Sequence, residues 1–384
     1  MAPAPVVGPG QYLETYEWGA SSGSGDGTVK FYAVELRKGD TPWFSATLAP
    51  PAVRAKALDV LAVRLNLVGG AGQDCGVSSG AAVDIGAFGK VVAQTALLET
   101  GPVGDRRWGA SCAAGGRLYL KVTRVGDAFA AQALPLELAF RLEPAVTDPG
   151  SPAVAELAPQ LPAPAAAKPV EIDGGTSFND APRLEPGTYT ETVGSGETRY
   201  YRVRLGWGQR LTYRVGIPGQ PGLGIQAGAL YATIASPLRQ PAEPSSGSDS
   251  SILVGRDDHE LSGSTPARVR YANRDAAGSR VQPYSVDGDF YLVLDLSYPI
   301  GIEMPFSVPL TITVATDGAT EPGPTYAANP ATYGATPATA AAAPARPEPT
   351  SGLPGWALAA AAGVAGIAAV AALALRRRRA GQAR

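Results

Sequence analysis

The chain has 384 residues, a formal net charge of −2, 47 glycines and 35 prolines. That length allows two or three domains, each with a core of its own. Dispersed, nearly balanced charge argues against a nucleic-acid partner, and glycine and proline at this density argue against a helical bundle in favour of short strands and turns.

Residues 1–9 read as an N-terminal tail. Met1 to Gln11 has neither a basic start nor an apolar stretch, so an exported chain is expected to begin upstream of Met1. The alternative is a tail-anchored protein that stays in the cytoplasm.

Residues 10–143 are expected to form a first β-sandwich. In Val29 to Leu36, Tyr32, Val34 and Leu36 share one face, as alternation in a strand requires. Asp59 to Leu67 places Leu61, Val63, Leu65 and Leu67 on a purely apolar face, and Arg117 to Val125 does the same with Leu118, Leu120 and Val122. Leu134 to Leu142 supplies the closing strand, and Ser21 to Gly27 is a loop. Residues 144–170 change character, with proline recurring among alanines. They predict an extended, semi-rigid linker.

Residues 171–317 return to strands and repeat the first segment. Gly10 to Thr15 corresponds to Gly187 to Thr192, and Lys30 to Leu36 corresponds to Arg199 to Leu205, each followed by a glycine turn at Gly39 or Gly208. Gly116 to Leu120 matches Gly288 to Leu292, and Leu134 to Leu138 matches Val308 to Ile312. Four blocks in one order point to two copies of one β domain. The second copy has no cysteine, so a Cys75–Cys112 bridge would serve a feature of the first copy alone.

With its aromatic-Tyr-x-Val-x-Leu strand, glycine turn and Gly-x-Phe/Leu-Tyr-Leu strand, the repeat resembles the bacterial pre-peptidase C-terminal domain. The resemblance implies a jelly-roll β-sandwich that accompanies other modules. The second copy is also similar to membrane-anchored exported proteins of high-GC Gram-positive bacteria. The matching positions are those of strands and turns, and no protease domain is expected within these 384 residues.

Residues 318–352, rich in Ala, Pro and Thr, are expected to be a disordered stalk, and their Thr and Pro would accept O-linked sugar. Residues 353–375 carry no charge and predict a transmembrane helix of roughly 34 Å, enough to cross a core of about 30 Å. Trp356 is placed as an interfacial anchor. Arg376, Arg377, Arg378 and Arg379 open the basic tail, 376–384, and set the C-terminus inside. Everything before the span is then extracytoplasmic, where Cys75 and Cys112 are expected to be bridged. The Leu-Pro-x-Thr-Gly motif of sortase substrates is absent, so the helix is expected to be retained.

The candidate chemistry is sparse. The one histidine, His259, sits in Asp257-Asp258-His259-Glu260 and reads as a loop between strands. Asp287-Gly288-Asp289 and Asp257-Asp258 offer carboxylates for calcium without the spacing of a calcium loop, so turn chemistry is the expected reason for both. Trp18, Trp43, Trp108 and Trp207 fit either a ligand groove or the core, and core is expected for Trp43 and Trp207. The expectation is an all-β protein of two tandem jelly-roll-like sandwiches, without catalytic, metal or cofactor residues. Its partners would be the lipid bilayer, through the C-terminal helix, and a protein or cell-wall glycan ligand. The alternative is an exported hydrolase, or its accessory subunit, acting on wall polymer or peptide.

Overall fold

A computed structural model describes residues 4–22, 25–48, 60–77, 83–84, 94–99, 102–103, 108–109, 112, 116–153, 155, 157–158, 168–223, 228–245, 248, 250–276, 280–297 and 306–328. The expected stalk beyond 328, the span, Trp356 and Arg376, Arg377, Arg378 and Arg379 lie outside the described residues. Among the described residues no helix is long and apolar enough to cross a membrane.

The first copy is built from β1 (Gly10–Tyr16), β2 (Asp26–Leu36), β3 (Thr41–Leu48), β4 (Val60–Val68), β5 (Asp74–Val77), β6 (Val83–Asp84), β7 (Gln94–Glu99), β8 (Gly116–Val125) and β9 (Leu134–Glu143). One sheet runs β1-β9-β3-β7 and the other β2-β8-β4-β5, with β6 also on β4. A short strand, β10 (Val146–Asp148), follows.

The second copy comprises β11 (Val170–Glu171), β12 (Gly187–Gly194), β13 (Thr198–Leu205), β14 (Arg210–Ile217), β15 (Gly228–Ala235), β16 (Pro241–Ala242), β17 (Ser251–Val254), β18 (His259–Ser264), β19 (Gly288–Ser297) and β20 (Ser307–Asp317). Its sheets run β11-β12-β20-β14-β18 and β13-β19-β15-β16, with β17 on β15. A final strand, β21 (Thr325–Tyr326), pairs with β10.

The repeat holds at the level of register. Tyr16 faces Leu134 in the first copy, and the equivalent Val193 faces Val308 in the second. Val34 faces Leu118 as Val203 faces Phe290. The Tyr12 hydroxyl bonds both backbone groups of Gly8, and Tyr189 does the same at Glu185. Lys30 pairs with Glu14 where Arg199 pairs with Glu191. Gly39 and Gly208 both take the left-handed conformation, φ +90° and +81°, which the predicted turns require and which costs an L side chain about 1–2 kcal/mol.

Alternation explains the cores. Leu61, Leu65 and Leu67 from β4, Leu118, Leu120 and Val122 from β8, and Leu134, Leu136, Leu138 and Phe140 from β9 are buried together. Phe44 stacks on Phe140 with ring centroids 4.5 Å apart. Cys75 and Cys112 lie in the same core as a disulfide with Cα atoms 5.7 Å apart, so the expected bridge is present. The second core gathers Tyr201, Val203 and Leu205 from β13 with Phe290, Leu292, Leu294 and Leu296 from β19.

The described parts of 144–170 and 318–328 make backbone contacts that composition alone did not predict. Val146–Asp148 and Thr325–Tyr326 form a two-stranded sheet, and Ala327 N–H donates to the Ala145 carbonyl at 2.7 Å. Leu157 N–H reaches the Pro266 carbonyl, and Arg210 holds the Ala158 carbonyl at 3.0 Å. A segment that builds no core of its own can still dock on one through its backbone.

Candidate functional site

The two copies meet on the outward face of the β1-β9-β3-β7 sheet. Along β9 the residues between the core leucines are Glu137, Ala139, Arg141 and Glu143, which alternation alone assigns to solvent. The second copy covers them: Glu137 is 2% exposed and Glu143 3%. Strand β3 is buried along its whole length for the same reason, with Phe44, Ala46 and Leu48 in the core and Trp43 against Leu238 and Val286 of the second copy.

Glu137 is satisfied entirely by the second copy. Its carboxylate accepts from Arg239 Nη1 at 3.1 Å, from the Asn179 N–H at 3.1 and 3.3 Å, and from the Ser177 hydroxyl. Arg239 sits in the turn between β15 and β16 with φ +63°, an unfavourable backbone for a side chain of its size. At 1% exposure its guanidinium also donates to Asn179 Oδ1 and lies 5.2 Å from the centre of the Phe178 ring. Phe178 packs edge-on to Tyr200 and Tyr291, and burial, then the Glu137 charge, push the Tyr200 phenol above its ordinary value.

A second buried carboxylate closes the far end. Glu143 takes a two-pronged contact from Arg274 at 2.8 and 3.2 Å, and Tyr326 donates to it at 3.2 Å. Burial, then the Glu143 charge, raise the Tyr326 phenol. Strand β21 thereby ties the end of the second copy to the closing strand of the first.

Near this strap lies a shallow cleft with room for about one water molecule, lined by Trp207, Arg270, Tyr271, Glu321, Pro322 and Pro324, among others. Arg270 grips Glu321 at 2.6 and 3.0 Å, which lowers the Glu321 carboxyl below its ordinary value.

The residues singled out in the sequence fall in different places. Trp43 is buried, but in the contact between copies and not in a sandwich core, a correction that follows from the covered sheet face. Trp108 lies in the first core, Trp207 packs partly buried on the second, and Trp18 is 63% exposed. His259 is the first residue of β18, paired with Ile217 and half-buried, and does not lie in a loop as expected. The Asp258 carboxylate accepts the Gly219 N–H at 2.6 Å, which is turn chemistry. Asp287 is held by Arg141 and Arg204, and Asp289 by Arg183 and Arg202. Among the described residues no group of three or more His, Cys, Asp or Glu side chains is placed to hold a metal ion. The buried carboxylates Glu137 and Glu143 were missed, because strand alternation marks them as outward without saying what lies outside.

Fold and site together define a protein of two β-sandwiches joined through buried ion pairs. No family model and no curated protein matches the chain. Among solved structures it is similar to the N-terminal CBM22-1-CBM22-2 tandem domain of Paenibacillus barcinonensis Xyn10C, with 11% identity, a TM-score of 0.21, and coverage of 83% of this chain and 100% of that one. It is similar also to the Arabidopsis thaliana ANX2 ectodomain, with 6% identity, a TM-score of 0.22, and coverage of 81% and 86% respectively. A third likeness is to the tail fiber protein gp63.1 of an E. coli phage, with 10% identity, a TM-score of 0.23, and coverage of 83% and 42%.

Proposed function

We propose that this is a non-catalytic surface protein that displays two joined β-sandwiches outside the cytoplasmic membrane and binds a glycan or protein ligand. Residues 353–375 span the bilayer in this reading, with Arg376, Arg377, Arg378 and Arg379 on the cytoplasmic side. The sandwiches are of the jelly-roll type found in pre-peptidase C-terminal domains. The observation that carries the reading is the burial of Glu137 and Glu143 between the copies. Arginine partners on the other copy make the two sandwiches one stiff body with a continuous outer surface, as a binding or scaffold module needs. The engagement of Asp287 and Asp289 by four arginines supports a structural use of those carboxylates.

Two measurements test it. Protease added to intact, wall-stripped cells is expected to digest the sandwiches before lysis, and protection until lysis refutes the display. Turnover of a wall polymer or peptide that is abolished by His259→Ala would refute the non-catalytic reading.

A further inference from the structure

Four arginines converge on two aspartates where the copies meet. Arg141, from β9 of the first copy, donates to the Asp287 carbonyl at 3.0 Å and approaches its carboxylate at 3.4 Å. Arg204, from β13 of the second copy, reaches the other oxygen of Asp287 at 3.0 Å. Arg183 donates to both carboxylate oxygens of Asp289, at 3.0 and 3.1 Å, and Arg202 lies 3.7 Å from the same carboxylate. Gly288 lies between the two aspartates in the chain, and its φ of +148° and near contact with Pro237 leave no room for a side chain.

The balance is uneven. Four fixed positive charges face two negative ones, in a protein whose formal net charge is −2. Each guanidinium carries five N–H donors and a carboxylate accepts about four hydrogen bonds, so donors remain after both aspartates are satisfied. Arg204 is 53% exposed and Arg183 46%, whereas both aspartates are under 25% exposed. The carboxylates therefore sit below and the guanidiniums above them face solvent. They are held in place by ion pairs, which lowers the ordering cost when a second anion arrives.

We propose that this arginine cluster is an anion-binding surface for a polymer whose acidic groups repeat along the chain, either an acidic polysaccharide or a phosphodiester-linked wall polymer. The shared chemistry is a run of oxyanions, each met by a planar guanidinium. Single-stranded nucleic acid fits less well, because it needs exposed aromatic faces for stacking. The aromatics on this sheet face, Phe178, Tyr200 and Tyr291, are at most 5% exposed. The cluster draws Arg141 from one copy and the other three arginines from the second, so it is complete only while the copies are docked. This inference rests on the binding role proposed above and gives it a ligand class.

The test uses the full chain, purified in mild detergent, with polygalacturonate and poly(glycerol phosphate) as separate probes. Neutral dextran and a single-stranded oligonucleotide serve as controls. Binding of at least one acidic polymer, weakening as salt rises, is expected. The pair Arg183→Gln and Arg204→Gln should weaken it at least tenfold, while Arg64→Gln with Arg117→Gln, which removes equal charge from exposed ion pairs elsewhere, should change it less than twofold. The preferred probe identifies which oxyanion the site takes. Failure of both acidic polymers to bind, an equal loss from the two variant pairs, or equal binding of the oligonucleotide would each overturn the inference. Digestion of the sandwiches on intact cells without polymer binding would sink this inference and leave the surface reading standing.

Discussion

Replacing Glu137 with alanine removes one side chain and strands two groups. Arg239 loses its buried counter-ion and the Asn179 N–H its acceptor, while the Ser177 hydroxyl keeps only Asp180 as acceptor, at 3.1 Å. Because Glu137 is 2% exposed and Arg239 1%, water cannot replace the carboxylate without opening the contact between the copies. Removing one partner of a buried pair typically costs about 3–5 kcal/mol. At about 2–4 °C per kcal/mol, the melting transition should fall by on the order of 10 °C. Glu137→Gln keeps the shape and should cost less, about 1.5–3 kcal/mol for the charged hydrogen bonds. Glu137→Leu combined with Arg239→Met removes both charges and should recover most of the loss, since an apolar pair of similar volume is usually as good as a buried ion pair. Calorimetry on the parent, Glu137→Leu, Arg239→Met and the double variant forms the cycle. A shift below about 2 °C for Glu137→Ala, on the same scale of 2–4 °C per kcal/mol, would refute the reasoning, as would a double variant as weak as the two single losses added.

Cys75→Ser with Cys112→Ser opens a loop with a sequence separation of 37 and should destabilise the first copy by about 4 kcal/mol in the chain-entropy model, leaving the unfolding of the second copy, followed by hydrogen exchange, unchanged. Gly208→Ala should be worse than Gly39→Ala in urea titrations. Both positions have positive φ, but a Cβ at Gly208 lands 2.5 Å from Glu321 Cγ and 2.6 Å from the Ala319 carbonyl oxygen, whereas at Gly39 it meets only Ala145 Cβ at 3.3 Å. The Glu321 carboxyl is depressed below its ordinary value of 4.5 by its hydrogen bond from Arg270. A depressed carboxyl stabilises the fold above its unfolded value and loses that contribution as pH falls through the folded one. The stability difference between the parent and Glu321→Gln should therefore shrink below about pH 4.5, and a difference constant to pH 2 would count against the pair.

Much of the fold was legible because strand alternation is a local property. Leu61, Leu65 and Leu67, or Leu118, Leu120 and Val122, name their own buried face, and the repeated blocks carry the strand register from one copy to the other. Strand β3 was not legible. Thr-Pro-Trp-Phe-Ser-Ala-Thr-Leu has no alternation, since one face fills the core and the other meets the second copy. The candidate site was hidden for a related reason: Glu137 and Glu143 have the spacing of solvated residues, and their partners lie 102 and 131 positions away in the chain.

The sequence by itself determined that the chain is β-rich, that one domain occurs twice, and where its turns and its cysteine pair belong. These follow from periodicity, from backbone conformations that favour glycine, and from order along the chain. Only the tertiary structure decided that the copies are docked, that residues 318–328 fold back onto the junction, and that arginines of both copies share Asp287. A period of two states which residues leave the core, but whether they meet water or a second surface depends on contacts between segments distant in the chain.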